Sequence, residues 1–342
     1  MKTSDFDYHL PPELIAQIPL EPRDQSRLMV LRRCDGSIEH RRFYEIIDYL
    51  ENGDTMVFNN SRVIPARIMG QKHNSQTKVE LLLLRRLGNN IWETLVRPAR
   101  KVTPGTEIRI AGAPHAADEE MNAEVLEQGE GGINIIRFSD DSLLEKYGQI
   151  PLPPYISTPL ADAERYQTIY AQTNGSVAAP TAGLHFTSRL LSELEKKGVR
   201  LAFVTLHIGL DTFRPVRVED PSRHVIHKEY GELTSEVTAL VNETREQGRK
   251  VIAVGTSTVR LLEAAARTGT IQPFAGWVDL LILPGYKFRV TDVMVTNFHL
   301  PRSTLLMLVS AFAGKDFVLQ SYEQARSLNY RFYSFGDAML IL

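Results

Sequence analysis

Apolar positions along this chain keep two different periods, and the change of period divides it. Between Gly175 and Leu210, Leu190, Leu191 and Leu194 recur at helical spacing, with Thr187 or Ser188 placed to cap the start and Gly198 to take the left-handed turn at the end. The spacing predicts a helix over about 187–197. Val199 to Leu206 follows as a nearly continuous apolar run, short and rich in Val, Leu and Phe, the pattern of a strand buried on both faces. His207 therefore falls at a strand end. Further on, helices over about 235–247 and 257–266 alternate with strands over about 250–254 and 277–283, an α/β pattern.

From about residue 67 to residue 138 the period shortens. "KVELLLLRRL", "IWETLVRPA", "TEIRIAG" and "INIIRF" are β-type runs divided by Gly, Asn and Pro, with no helical spacing among them. They predict a small antiparallel barrel or sandwich inserted into the α/β part, with the Pro-rich "YGQIPLPPYI" as its exit.

Composition narrows the setting. At 342 residues and 43% apolar content, two domains are the default expectation. The 39 basic and 41 acidic residues leave a net charge of −2, so any contact with nucleic acid has to come from a local patch. Cys34 is the single cysteine, which removes internal disulfides, Cys zinc sites and CxxC redox pairs and fits a reducing compartment. No signal-peptide pattern and no apolar stretch of membrane-spanning length is present, so a soluble, cytoplasmic protein without membrane contact is expected.

In α/β folds ligands gather where parallel strands finish, and polar clusters stand at these strand ends. "VTLHIG" ends in His207, "VIAVGTSTVR" passes through Thr256, Ser257 and Thr258 into a helix, and "VMVTNFHLPRS" ends in Thr296, Asn297 and His299; His185 lies just before a helix start. The Gly-Thr-Ser-Thr turn offers N–H groups and hydroxyls suited to an anion or ribose, beside their ordinary capping role. "EQGEGG" (Glu127 to Gly132) lies between β-type runs and reads as a hairpin turn, not a nucleotide loop. P-loop, nucleophile-elbow and zincin motifs are missing. His224 and His227, with Glu229 and Glu232 nearby, have no cysteine partner and a spacing common by chance, so no metal site is assigned.

Seven blocks carry a family resemblance: "FDYHLPPELIAQIPLEPRDQSRLMVL", "VFNNSRVIPARI", "GSVAAPTAGLHFT", "VTLHIGLDTFRPV", "HKEYGEL", "VGTSTVRLLE" and "TNFHLPRSTLLMLVSAFAG". Together, nearly end to end, they resemble the S-adenosylmethionine:tRNA ribosyltransferase-isomerase family of queuosine biosynthesis. The resemblance implies an α/β barrel-like main domain, set at 1–66 and 152–342, with an inserted all-β barrel domain at 67–151. It implies that S-adenosylmethionine is consumed as a ribosyl donor, with no resident cofactor. The acceptor is the 7-aminomethyl-7-deazaguanine at the wobble position in a tRNA anticodon loop; epoxyqueuosine forms, and adenine and methionine leave.

That chemistry needs proton transfer at the C5′ carbon next to the sulfonium and at the leaving adenine. His185, His207 and His299 are the candidates, one of them as the C5′ base, with Glu229 as a further carboxylate; their division of roles stays open. Arg23, Arg27, Asn59, Asn60, Ser61, Arg62, Thr181, Gly183, Thr256, Thr258, Thr296 and Asn297 are the candidate substrate contacts. "LRRCDGSIEHRRFYE" and "RPVRVEDPSRHVIHK" concentrate basic residues for RNA phosphates, beside the reading as solvated faces. A non-catalytic RNA-binding or assembly factor is the alternative function, which release of adenine separates from the enzyme.

Overall fold

The computed structural model describes residues 1–73, 75–110, 121–209 and 215–342. Residues 210–214, inside the "VTLHIGLDTFRPV" block, and 111–112 of "TEIRIAG" lie outside the described residues. Two compact units make up the chain, Met1–Arg62 with Pro153–Leu342, and Val63–Leu152.

The larger unit is built on a nine-stranded mixed sheet in the order Phe274–Val278, Glu229–Leu233, Arg200–Leu206, Thr55–Asn59, Val251–Val254, Val293–Asn297, Ala338–Ile341, Arg27–Leu31 and Ile38–Arg42. Thr55–Asn59 pairs in parallel with Arg200–Leu206 and with Val251–Val254, which pairs in parallel with Val293–Asn297. These four strands therefore finish on one side. Three of them are buried along their whole length, whereas Arg200–Leu206, whose apolar run predicted burial on both faces, leaves Phe203 exposed.

Period-two alternation splits the buried strand residues between two cores. Met29, Val57, Ala253, Met294 and Met339 face one, packed under the helices Thr256–Ala265, Thr304–Ala313 and Lys315–Ser327. Leu28, Met56, Phe58, Ile252, Val254 and Val295 face the other, closed by Phe43, Phe186 and the helix Ser188–Lys196. Thr187 caps that last helix, accepting from the Leu190 N–H at 3.2 Å. Gly198 follows it at φ +90°, where a Cβ would also stand 2.2 Å from Asn52 Oδ1.

The smaller unit holds a closed barrel of six antiparallel strands, Ile133–Phe138, Ile91–Arg97, Lys78–Gly88, Arg67–Lys72, Glu107–Ile110 and Asn122–Gln128. Of the barrel and the sandwich left open by the strand pattern, the barrel is the one found. "EQGEGG" turns the chain between two adjacent strands, with Gly131 and Gly132 at φ +67° and +89°.

One element differs from its sequence expectation. The run "WVDLLIL" predicts a strand over about 277–283. The strand found is Phe274–Val278, and the chain leaves the sheet after it. Ile282 is buried in the core and Leu280 and Leu283 pack against it, while the Leu280 carbonyl accepts from Arg260 Nε at 3.1 Å. Those apolar side chains cover the core from a loop, so their sequence pattern mimics a strand.

Candidate functional site

A cleft of about 610 Å³ opens in the larger unit and is lined from the ends of the parallel strands. Thr256 and Ser257 open the helix that follows Val251–Val254, and Thr296, Asn297 and His299 stand at the end of Val293–Asn297. Thr181 and Glu229 complete the set of sequence-chosen residues on its wall.

The helix Thr256–Ala265 begins at Gly255, φ +92°, which has no side chain to cap its free N–H groups. Ser257 Oγ accepts from Asn59 Nδ2 at 3.3 Å. Thr258 turns its hydroxyl back onto the Val254 carbonyl at 2.7 Å and does not line the cleft.

Glu229 is 5% exposed and its carboxylate accepts from the Arg260 guanidinium and, at 3.0 Å, from the Gly209 N–H. Arg260, 4% exposed, also donates to the carbonyls of Leu280 and Val278. A carboxylate buried in this way is held in one orientation by its partner.

His299 has Nε2 2.7 Å from Thr296 Oγ1. Burial pushes its imidazole down to about 3, so the ring is neutral at ordinary pH. His185 lines a second, smaller cavity of about 250 Å³ with Arg23 and Ser26. Its Nδ1 lies 2.7 Å from Ser26 Oγ, its Nε2 3.1 Å from Asn297 Nδ2, and its ring stacks on Phe43 at 4.8 Å. Burial, with the Arg331 and Arg23 charges adding to it, lowers His185 to about 3 as well.

His207 lies elsewhere. Its ring packs on Gly175, where a Cβ would stand 2.8 Å from Cε1, and its buried Nδ1 has no hydrogen-bond partner among the described residues. Burial lowers its basicity and Glu232 opposes the shift.

Other candidates serve as ties. Arg27 binds Asp337 at 3.2 Å and the Leu328 carbonyl at 2.8 Å while lying 4.0 Å over the Tyr330 ring. Arg23 donates to the carbonyls of Gln167 and Glu164. Arg62 pairs with Glu164. Asn59 clamps the N–H and carbonyl of Leu206, and Asn60 Oδ1 accepts from Thr205. Ser61 is buried, and its hydroxyl has no partner among the described residues. Gly183 leaves room for Tyr170, whose hydroxyl would be 2.0 Å from a Cβ there.

In the basic stretch "LRRCDGSIEHRRFYE", Glu39 takes both Arg32 and Arg41 at 2.9 Å. Among the described residues no cluster of three or more His, Cys, Asp or Glu is placed to hold a metal ion, and no helix is long and apolar enough to cross a membrane.

Sequence reasoning passed over Arg260, although a charge inside "TSTVRLLEAA", a helix buried throughout, is a legible anomaly. Ser26, 159 residues from His185 in sequence, carried no signal.

The family model described as "Queuosine biosynthesis protein" matches residues 3–341. The chain belongs to that family. It is 57% identical to the S-adenosylmethionine:tRNA ribosyltransferase-isomerase of Dehalococcoides mccartyi (strain CBDB1), over 100% of both chains. With the enzyme of the same name from Thermotoga maritima it shares 54%, again over 100% of both. A crystal structure of S-adenosylmethionine tRNA ribosyltransferase from Thermotoga maritima matches with a TM-score of 0.58 at 46% identity, covering 99% of this chain and 100% of that one. Within this queuosine biosynthesis family, these named relatives are enzymes, and nothing among them supports a non-catalytic RNA-binding factor.

Proposed function

We propose that the chain transfers and isomerises the ribosyl moiety of S-adenosylmethionine onto the 7-aminomethyl-7-deazaguanine at the tRNA wobble position, giving epoxyqueuosine and releasing adenine and methionine. The observation that carries this reading is the full-length match to enzymes of that name. S-adenosylmethionine enters as a cosubstrate in the large cleft and tRNA is the partner.

Of the three candidate histidines, His299 alone lines that cleft. An imidazole held down to about 3 is a reluctant base, and a neutral ring works better as a hydrogen-bond donor or acceptor. Glu229 is the carboxylate in the same wall, oriented by Arg260 and Gly209. In this reading Glu229 takes the C5′ proton acidified by the sulfonium, and His299 hydrogen-bonds the adenine as it leaves. The uncapped start of the helix at Thr256 faces the cleft with free N–H groups for the methionine carboxylate or ribose oxygens. Incubation with S-adenosylmethionine deuterated at C5′ and precursor-bearing tRNA tests this: one deuterium is lost from the transferred ribosyl group as adenine and methionine appear. Full retention of deuterium contradicts the base, and no adenine contradicts the function.

A further inference from the structure

Ser26, His185, Asn297 and Thr181 come from separate parts of the chain and join in one line of hydrogen bonds. Ser26 Oγ lies 2.7 Å from His185 Nδ1, Asn297 Nδ2 lies 3.1 Å from His185 Nε2, and the Thr181 hydroxyl donates to Asn297 Oδ1 at 2.8 Å. Ser26, His185 and Asn297 are buried. The line begins in the small cavity and ends in the large cleft, where Asn297 and Thr181 form part of the wall.

The orientation of the Asn297 amide, with its nitrogen towards His185, gives the line a direction. A neutral imidazole has one of each, and an amide has a donor end and an acceptor end. With the amide nitrogen of Asn297 on His185, Nε2 is the unprotonated acceptor and Nδ1 carries the proton, which it donates to Ser26 Oγ. At the other end Asn297 Oδ1 takes the one proton of Thr181, whose oxygen then has only lone pairs for the cleft. Reversing a single link sets two donors or two acceptors face to face, so the members keep their sense together.

We propose that Ser26 and His185 are positioning residues that act through Asn297 to hold Thr181 Oγ1 as a hydrogen-bond acceptor for an ammonium, amino or hydroxyl group of S-adenosylmethionine in the cleft. The proposal rests on the ribosyl-transfer reading. It removes His185 from proton transfer, since a base needs a lone pair facing the substrate and both ring nitrogens here are engaged. The stacking on Phe43 and the burial that lowers the ring to about 3 agree with a fixed neutral tautomer.

Two variants and one spectrum test it. His185→Phe keeps an aromatic ring on Phe43 but removes the hydrogen bonds; His185→Gln restores an acceptor oxygen towards Asn297. His185→Phe and Thr181→Val should each raise KM for S-adenosylmethionine about tenfold with the pH profile of kcat unmoved, while His185→Gln stays within about threefold of the parent. The double variant His185→Phe with Thr181→Val should be no worse than the worse single one, because both cut the same line. Nitrogen-15 NMR of the folded parent should show His185 protonated at Nδ1 and not titrating between about pH 5 and pH 8. A hundredfold loss of kcat in His185→Gln, additive losses in the double variant, or a proton on Nε2 would each overturn the proposal. The spectrum decides even where His185→Phe fails to fold. It also stands apart from turnover, so a parent protein that releases no adenine sinks the ribosyl-transfer reading and leaves the line to be judged by its tautomer.

Discussion

Glu229 and Arg260 show how much a single pair sets in this cleft. Both side chains are about 5% exposed, so neither has water to fall back on. Removing one charge leaves the other buried and uncompensated, a cost of about 3–5 kcal/mol. Glu229→Gln is therefore expected to lower the urea midpoint and also to reduce kcat by orders of magnitude if the carboxylate is the base; full activity at wild-type stability would contradict both. The buried histidines give a second prediction. His185 and His299, neutral in the fold at about 3, have an ordinary value near 6.5 when unfolded, so below pH 6.5 the unfolded chain binds more protons. Stability should then fall as pH drops from about 6.5 towards 3, by about 1.4 kcal/mol per pH unit for each ring. Urea titrations at pH 7 and pH 5 check it, and His299→Gln should flatten the slope. At this scale strand-end logic placed His299 beside Asn297, while Glu229 came in only as a further carboxylate with the family resemblance. That logic offered nothing to separate His207, because the side of a sheet on which a residue after the last strand position points depends on register and neighbours.

Among the elements, the helix Thr256–Ala265 carries two jobs that its sequence merges. Thr256 and Thr258 look alike in "GTSTVR", yet only Thr256 lines the cleft, and Thr258 bonds the carbonyl one turn earlier. Thr256→Val should raise KM for one substrate about three- to tenfold at unchanged stability. Thr258→Val should instead cost about 1 kcal/mol of stability and leave KM alone. The opposite assignment in kinetics and melting curves would show that the cleft wall is drawn wrongly. The starts of Ser188–Lys196 and Ser235–Glu246 were legible because Thr187 and Thr234 cap them locally, whereas Thr304–Ala313, capped by Ser303, had no expectation behind it. The strand expected past Val278 failed because burial, which the apolar run does report, is not pairing, which it does not.

For the whole molecule, change of hydrophobic period was enough to see an α/β part and an all-β part. Closing the antiparallel barrel needs the non-consecutive pairs Arg67–Lys72 with Glu107–Ile110 and Ile91–Arg97 with Ile133–Phe138, which no single stretch encodes. The chain enters and leaves the smaller unit side by side, since Arg67 and Gln149 exchange backbone hydrogen bonds at 3.0 and 2.9 Å. Every residue of the large cleft belongs to Met1–Arg62 or Pro153–Leu342. Replacing Val63–Leu152 by a short linker should consequently leave a cooperatively melting protein that still binds S-adenosylmethionine and has lost or weakened tRNA modification. Aggregation, or undiminished modification, would contradict that division of labour. This cleft is expected to move ribose, not a methyl group, from S-adenosylmethionine to tRNA. The most direct test supplies S-adenosylmethionine labelled in the ribose together with precursor-bearing tRNA, and weighs the modified nucleoside by mass spectrometry. The whole ribose label should appear in the tRNA, with adenine and methionine released in equal amounts; label confined to free nucleosides, or a methylated tRNA with S-adenosylhomocysteine as by-product, would rule out ribosyl transfer.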